Sequence, residues 1–170
     1  MDYYSNLFLD KMLIREFAKK DLNSMIGIWN DIVIEGNAFP QEDILSVESG
    51  FEFFNHQSFT GVAIFENEVV GLYILHPNNV GRCSHIANAS YAVDADFRGK
   101  HVGRNLVLDS IRKARELDFK ILQFNAVVKS NDSARHLYET LGFRQLGTIP
   151  GGFRLKDGTY EDICPYFIEL

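Results

Sequence analysis

Residues 96–104 read Asp-Phe-Arg-Gly-Lys-His-Val-Gly-Arg, and their types and order suit one chemistry, the capture of an anion. An apolar strand pattern precedes the segment and an amphipathic helix pattern follows it. The first N–H groups of a helix have no intrahelical acceptor, and the helix dipole favours negative charge there. Gly99 and Gly103 remove side chains that would keep a phosphate from the backbone. Arg98, Lys100 and Arg104 add local positive charge to a chain that is acidic overall. The same residues would also serve an ordinary Gly-containing turn before a helix. The order does not fit G-x-x-x-x-G-K-[ST], and G-x-G-x-x-G is absent.

Other chemistries find less support. His56, His76 and His136 show no ligand spacing and read as surface or packing residues. The two cysteines, Cys83 and Cys164, form no C-x-x-C pair, so no metal site is expected. Asn88 and Asn125 each interrupt an apolar strand pattern, and buried amides need partners. Those partners could be a substrate's polar groups or backbone at an irregular part of a sheet. Glu161-Asp162 reads as a substrate-side acidic pair or, more simply, a solvated strand end.

The elements that must position these residues follow from periodicity and turn chemistry. Residues 12–17 read as a strand. Residues 21–35 read as a helix with Asp21 as N-cap, Leu22, Met25, Ile26, Trp29, Ile32 and Val33 on one face, and Gly36-Asn37 as its stop. Residues 42–57 read as a second helix with Phe51 and Phe54 inward. Strands at 59–65 and 69–75 flank Asn67-Glu68 as a hairpin turn. A loop at 76–82 leads to a strand at 84–93, the polar segment 94–103 and a helix at 102–117. A strand at 121–128, a short helix at 130–141 stopped by Gly142, and strands at 144–149 and 163–168 complete the chain, with Lys156-Asp157-Gly158 as a turn. Hairpins mixed with strand–helix–strand crossovers imply an α/β fold with a sheet of mixed direction.

Composition bounds the answer. A compact chain of 170 residues buries roughly 70% of its unfolded surface. Hydrophobic residues at 46% and charged residues at 24% exclude a disordered chain, and 14 phenylalanines predict an aromatic core. One domain over residues 1–170 is expected, with no linker or repeat. Seventeen basic against 23 acidic residues, a net charge of −6, argues against a nucleic-acid binder. Val69 to Leu75 is too short an apolar run to cross a bilayer. Met1-Asp2-Tyr3-Tyr4 lacks a secretion signal's basic start, and two cysteines suit a reduced compartment, so a cytoplasmic protein is expected.

Two segments together resemble the GNAT superfamily of acyl-CoA-dependent N-acyltransferases. Residues 98–103 are similar to its [RQ]-x-x-G-x-[GA] signature, with His101 where the first glycine usually stands; a negative φ would make that histidine tolerable. Residues 131–143 are similar to a second motif, N-x-x-A-x-x-x-Y-x-x-x-G-F. The resemblance covers about residues 84 to 170. Within the superfamily, Asn88-Ala89-Ser90-Tyr91, residues 123–128 and 147–150 resemble bacterial amino-acid or small-amine acetyltransferases, and fungal enzymes that acetylate proline analogues are similar.

The resemblance implies a mostly antiparallel central sheet, helices on both faces, and one splayed parallel strand pair, 84–93 with 121–128. It implies acetyl-CoA as cosubstrate, with pantetheine paired to backbone near Ala92 and Val93. The pyrophosphate would lie on residues 98–104: Arg98, Gly99, Lys100, His101, Val102, Gly103 and Arg104. Asn131 would touch the cosubstrate or cap its helix. Tyr138 would serve the departing thiolate, and Glu35 falls where acceptor-site residues often stand. His85 is a weaker base, because strand alternation turns it away from Asn88 and Ser90 if Ala92 faces the pantetheine. Asn88 and Asn125 would hold a small-molecule amine. The implied activity is direct attack of that amine on the thioester. A non-catalytic acyl-CoA sensor and a protein N-terminal or lysine acetyltransferase are the alternatives, and a homodimer is open to the chain.

Overall fold

The computed structural model describes residues 11–170, so the reading of Met1 to Tyr4 lies outside the described residues. Strand β1 (Leu13–Glu16) is followed by helix α1 (Leu22–Glu35), helix α2 (Val47–Asn55), and strands β2 (Phe59–Phe65), β3 (Glu68–Pro77) and β4 (Ile86–Val93). Helix α3 (Val102–Glu116), strand β5 (Ile121–Val128) and helix α4 (Asp132–Thr140) come next. Short β6 (Arg144–Gln145), β7 (Ile149–Arg154) and β8 (Tyr160–Glu169) complete the described chain. The eight strands form one sheet in the order β1-β2-β3-β4-β5-β8-β6, with β7 also on β8. Every pairing is antiparallel except β4 with β5.

Helices cover both faces, as expected. On one face Trp29, Met25 and Ile32 of α1 and Phe54 of α2 pack against Val62, Leu72 and Ala92. On the other, Leu106 and Ile111 of α3 pack with Tyr73, Ala89, Leu122, Phe124, Phe143 and Tyr166. The apolar stripe of α1 is buried as its 3.6-residue period requires.

Several local expectations are corrected. Asp21 stands at the start of α1, but its carboxylate turns back to accept from Arg15 at 2.6 and 3.0 Å and from the Ala18 N–H at 2.7 Å. It ties β1 to the following 3₁₀ turn and leaves α1 without a side-chain cap. Helix α2 is shorter than expected because Ser46 caps it, accepting from the Ser49 N–H at 3.1 Å. Phe54 points inward, whereas Phe51, three positions earlier, turns outward and is 38% exposed. The hairpin turns at Glu66-Asn67, one residue earlier than expected, because both of these residues take the positive φ of the tight turn. The strand expected at 144–149 is split: only Arg144 and Gln145 pair with β8 as β6, and Ile149 opens a separate edge strand, β7, whose Pro150-Gly151-Gly152 fall at a register shift against β8.

The pairing of β4 and β5 positions the site. It is confined to Ile86 with Ile121 and Ala87 with Leu122. Beyond that point β4 stays in register with β3 as far as Val93, while β5 follows β8 through a register shift between Phe124 and Val127. The two strands therefore diverge toward their C-terminal ends.

Candidate functional site

The divergence opens toward the segment that leads into α3. The Asp94 carboxylate accepts from the Asp96 N–H at 2.9 Å and nucleates a 3₁₀ turn. The chain then passes through Gly99 (φ +76°) and His101 (φ +62°) into the helix. His101 thus departs from the expected negative φ. The reversal from extended Arg98 to helical Val102 requires a left-handed residue at 101, the position where the resembled pattern has glycine. The result is a row of open donors. Among the described residues, the N–H groups of Gly99, His101, Val102, Gly103 and Arg104 have no acceptor.

Gly71 lets this helix start sit close to the strands. A Cβ on Gly71 of β3 would lie 3.0 Å from the Ala92 oxygen and 3.1 Å from both Val102 and Leu106. A Cβ on Gly103 would be 3.7 Å from Val93 and 3.9 Å from Leu137, ordinary contact with little room beyond it. Charge around the donors is partly engaged. Arg98 donates to Glu35 at 2.8 Å, and Lys100 lies over the Phe97 ring at 4.7 Å. Arg104 has no ion pair among the described residues.

Register decides which backbone groups face the gap. Asp94 N–H donates to Val70 and Asn78 N–H donates to Ile86, so the even residues of β4 bond to β3. Ala89, Tyr91 and Val93 therefore point their N–H and C=O groups at the gap. Of the expected pair, Val93 faces it and Ala92 does not. Ala92 spends its backbone on Leu72 and its side chain on the α1 face.

Beneath the gap on the α3 side lies a nest of rings. Tyr138 of α4 is 4.5 Å from Phe124, 5.6 Å from Phe143 and 6.4 Å from Tyr91, between ring centroids. Tyr73 donates to Asp109, Tyr91 is hydrogen-bonded to Ser110 and Tyr166 donates to Glu139. The Tyr138 hydroxyl alone of these four has no partner among the described residues, and its oxygen is not sealed from open space. Burial pushes its phenol well above the ordinary range, so it is a neutral donor rather than a ready acid. Asn131 caps α4, its oxygen accepting from the Ala134 N–H at 3.2 Å and from Ser133 at 3.1 Å, and its amide nitrogen has no partner among the described residues.

On the α1 side, Asn88 and Asn125 neither stand alone nor bridge backbone. Asn125 donates to the Asn78 oxygen at 2.6 Å and Asn78 donates back at 3.2 Å. Asn88 donates to Asn78 at 3.4 Å, and Gln123 donates to Asn125 at 2.9 Å. Asn78 and Gln123 were missed in the sequence. Asn78 was hidden in a loop-like composition, whereas the Gln-x-Asn alternation on β5 was a readable signal.

The carboxylates expected near the acceptor are engaged. Glu35 holds Arg98. Glu161 accepts from the Ser130 N–H and hydroxyl at 2.7 and 2.8 Å. Asp162 pairs with Lys129 at 3.0 Å and accepts from the Gly151 N–H; the Lys129 ammonium holds its carboxyl below the ordinary range. His85 is exposed ahead of β4.

A groove of about 600 Å³ separates the end of α1 and the loop after it from β7. Val33, Phe39 and Phe153 give it an apolar wall. Glu42 pairs with Arg154, and Lys156 donates to the Ile34 carbonyl at 3.1 Å; both contacts cross between its walls. The Gln41 side-chain oxygen lining it is buried without a partner among the described residues.

A family model described as the acetyltransferase (GNAT) family matches residues 24–143. The N-acetyltransferase aca1 of Schizosaccharomyces pombe is 36% identical over 92 residues, 54% of this chain and 44% of that protein. This chain thus spans less than half the length of that relative. The L-amino acid N-acyltransferase MnaT of Escherichia coli is 25% identical over 144 residues, 82% of this chain and 83% of that one. The structure of a GCN5-related N-acetyltransferase from Kribbella flavida superposes with a TM-score of 0.88 at 30% identity, covering 95% of this chain and 99% of that chain.

Proposed function

The chain belongs to the GNAT acetyltransferase family, and from that premise we propose that it moves an acetyl group from acetyl-CoA to the amine of a small metabolite, an amino acid or an analogue of one. The observation that carries this reading is the divergence of β4 and β5 beyond Ala87 and Leu122, which leads directly to the open donors at 99–104. The site fits the cosubstrate on its donor chemistry. Clustered N–H groups at a helix start suit linked phosphates, and free peptide groups along β4 suit the amides of a pantetheine arm. The name of the E. coli relative supports an amino-acid acceptor.

Acetyl-CoA would supply the acyl group as an activated thioester. The chain's own residues do the rest. The N–H groups of Gly99, His101, Val102, Gly103 and Arg104, with the Arg104 side chain, hold the phosphates. Val93 pairs with the pantetheine, and a β4 N–H at Tyr91 or Ala89 stabilises charge that develops on the carbonyl oxygen. The Tyr138 hydroxyl donates a hydrogen bond to the departing sulfur. The carboxamides of Asn88 and Asn125 orient the acceptor, so that proximity supplies much of the rate.

The test combines thermal denaturation with release of free thiol. Acetyl-CoA at a hundredfold excess over its Kd should stabilise the chain by about 2.7 kcal/mol. Thiol should then appear with at least one amine from a panel of amino acids, polyamines and antibiotics. No stabilisation would refute the cosubstrate site. Stabilisation without thiol release from any amine would favour a sensor of acyl-CoA.

A further inference from the structure

An ammonium has no lone pair, so the proposed transfer needs a group that takes a proton from the acceptor. Among the described residues, the carboxylates flanking the site are engaged: Glu35 with Arg98, Asp94 with the Asp96 N–H, Glu161 with Ser130, Asp162 with Lys129 and Gly151, and Glu42 with Arg154. The α1-side face of the bordering strands carries Leu72, Ile74 and His76 on β3, Asn88, Ser90 and Ala92 on β4, and Gln123 and Asn125 on β5. His76 is the one titratable side chain in that set.

His76 pairs in register with Asn88, immediately past the last parallel pair at Ala87 and Leu122. It is half-buried, and its Nδ1 lies 3.0 Å from the Pro77 carbonyl oxygen. A carbonyl only accepts, so Nδ1 carries the hydrogen and the neutral ring keeps its lone pair on Nε2. Asn78, two residues on, reaches Asn125 of β5, so a side chain rooted at this end of β3 can span β4. The strand path from Val93 back to Asn88 is about 17 Å, of the same order as an extended pantetheine arm. A thioester whose phosphates rest on 99–104 would therefore lie near Asn88. The side chains in register around His76 on β3 and β4, Ile74, Asn78 and Asn88, are uncharged.

We propose that His76 is the general base of this transfer, an inference that rests on the acetyltransferase reading above. Nε2 takes one proton from the acceptor ammonium, directly or through one water. The freed nitrogen lone pair forms the C–N bond at the thioester carbonyl carbon, and the C–S bond breaks. A second proton from the nitrogen ends on the sulfur, and His76 returns the first to solvent. The Asn88 oxygen, left free because its amide nitrogen serves Asn78, accepts from the amine and aligns it.

The experiment compares the unaltered chain with His76→Asn, which can keep the bond to Pro77 but has no basic nitrogen, and with His76→Gln. Both variants should keep their stabilisation by acetyl-CoA, which also reports that they fold. Their kcat/KM should fall by about 100-fold or more. The deficit should widen across acceptors of similar shape as the amine becomes more basic, and added imidazole should recover part of it. Activity within threefold of the unaltered chain would overturn the assignment. So would a loss that is uniform across amines and unmoved by imidazole. Failure of the unaltered chain to turn over any amine would instead overturn the transferase reading and take this role with it.

Discussion

The two sides of the β4–β5 divergence are built from different materials. Toward α3 the recognition surface is backbone: N–H groups at 99–104 and the peptide groups of Tyr91 and Val93, held by Gly71, Gly99 and Gly103. Toward α1 it is side chain: carboxamides from the end of β3, from β4 and from β5. A backbone site constrains a short run of sequence tightly, because few residues allow the path. A side-chain site gathers single residues from distant segments, so strand register rather than one short run sets its geometry.

Changes at the backbone site test that contrast most severely. Gly103→Glu should abolish stabilisation by acetyl-CoA, with a loss of affinity beyond about 100-fold, because bulk and negative charge enter between Val93 and Leu137 beside the donors. Gly103→Ala should be close to silent, since its Cβ makes only ordinary contacts. Paired thermal scans with and without acetyl-CoA would show both. Normal affinity in the Glu variant would mean that side chains, not backbone, hold the phosphates.

Tyr138→Phe should separate chemistry from binding. A hydrogen bond to a charged group contributes roughly 1.5–3 kcal/mol, or about 10- to 100-fold in rate. Thiol release should fall by that factor while stabilisation by acetyl-CoA stays the same. The raised pKa fixes the pH behaviour. Burial favours the neutral phenol, so it remains protonated above the pH at which an ordinary tyrosine ionises. The rate ratio between variant and parent should therefore stay flat from neutral to mildly alkaline pH. A ratio that changes with pH there would make Tyr138 an acid that titrates, and equal rates would reduce it to packing.

Glu35→Gln probes a contact that joins the two sides. The Glu35–Arg98 pair is exposed at both ends, which limits it to about 0–1 kcal/mol. Releasing Arg98 should tighten acetyl-CoA binding up to about fivefold at low salt and less at high salt, with turnover retained. Titration at two ionic strengths would measure this. Lost turnover with intact binding would return Glu35 to the acceptor chemistry from which its partner removes it.

This contrast also explains what could be read in advance. The motifs at 98–103 and 131–143 announce backbone geometry and helix packing, and the fold around them follows. The α1 side was less legible. Phe51 and Phe54 both fit an inward helical face by spacing, and only the packing of α2 against Trp29 of α1 separates buried Phe54 from exposed Phe51. Asn78 looks like loop filler until the β3–β4 register brings it to Asn125. His76 has no ligand spacing, and only its pairing with Asn88 and the commitments of nearby carboxylates single it out. Ala92 and Val93 differ only in parity, which depends on which residues bond to β3. Strand β7 was hidden because an edge strand tolerates proline and glycine that a central strand does not.

The smallest expected effect lies inside the backbone site itself. His101 holds φ +62° with its side chain exposed, and a left-handed residue other than glycine costs about 1–2 kcal/mol. His101→Gly removes that strain but adds about 0.5–1 kcal/mol of unfolded-state freedom. The net gain should be about 0.5–1 kcal/mol, a rise in Tm of about 1–4 °C for a chain of this size. His101→Ala should bring no such gain, since alanine inherits the same backbone strain. The added stabilisation by acetyl-CoA should be equal in all three forms, because the donors are N–H groups that each variant retains. If glycine fails to stabilise, the imidazole is repaying the strain through a contact of its own. If glycine stabilises but weakens the response to acetyl-CoA, the histidine ring belongs to the phosphate site, and the division between a backbone side and a side-chain side no longer holds.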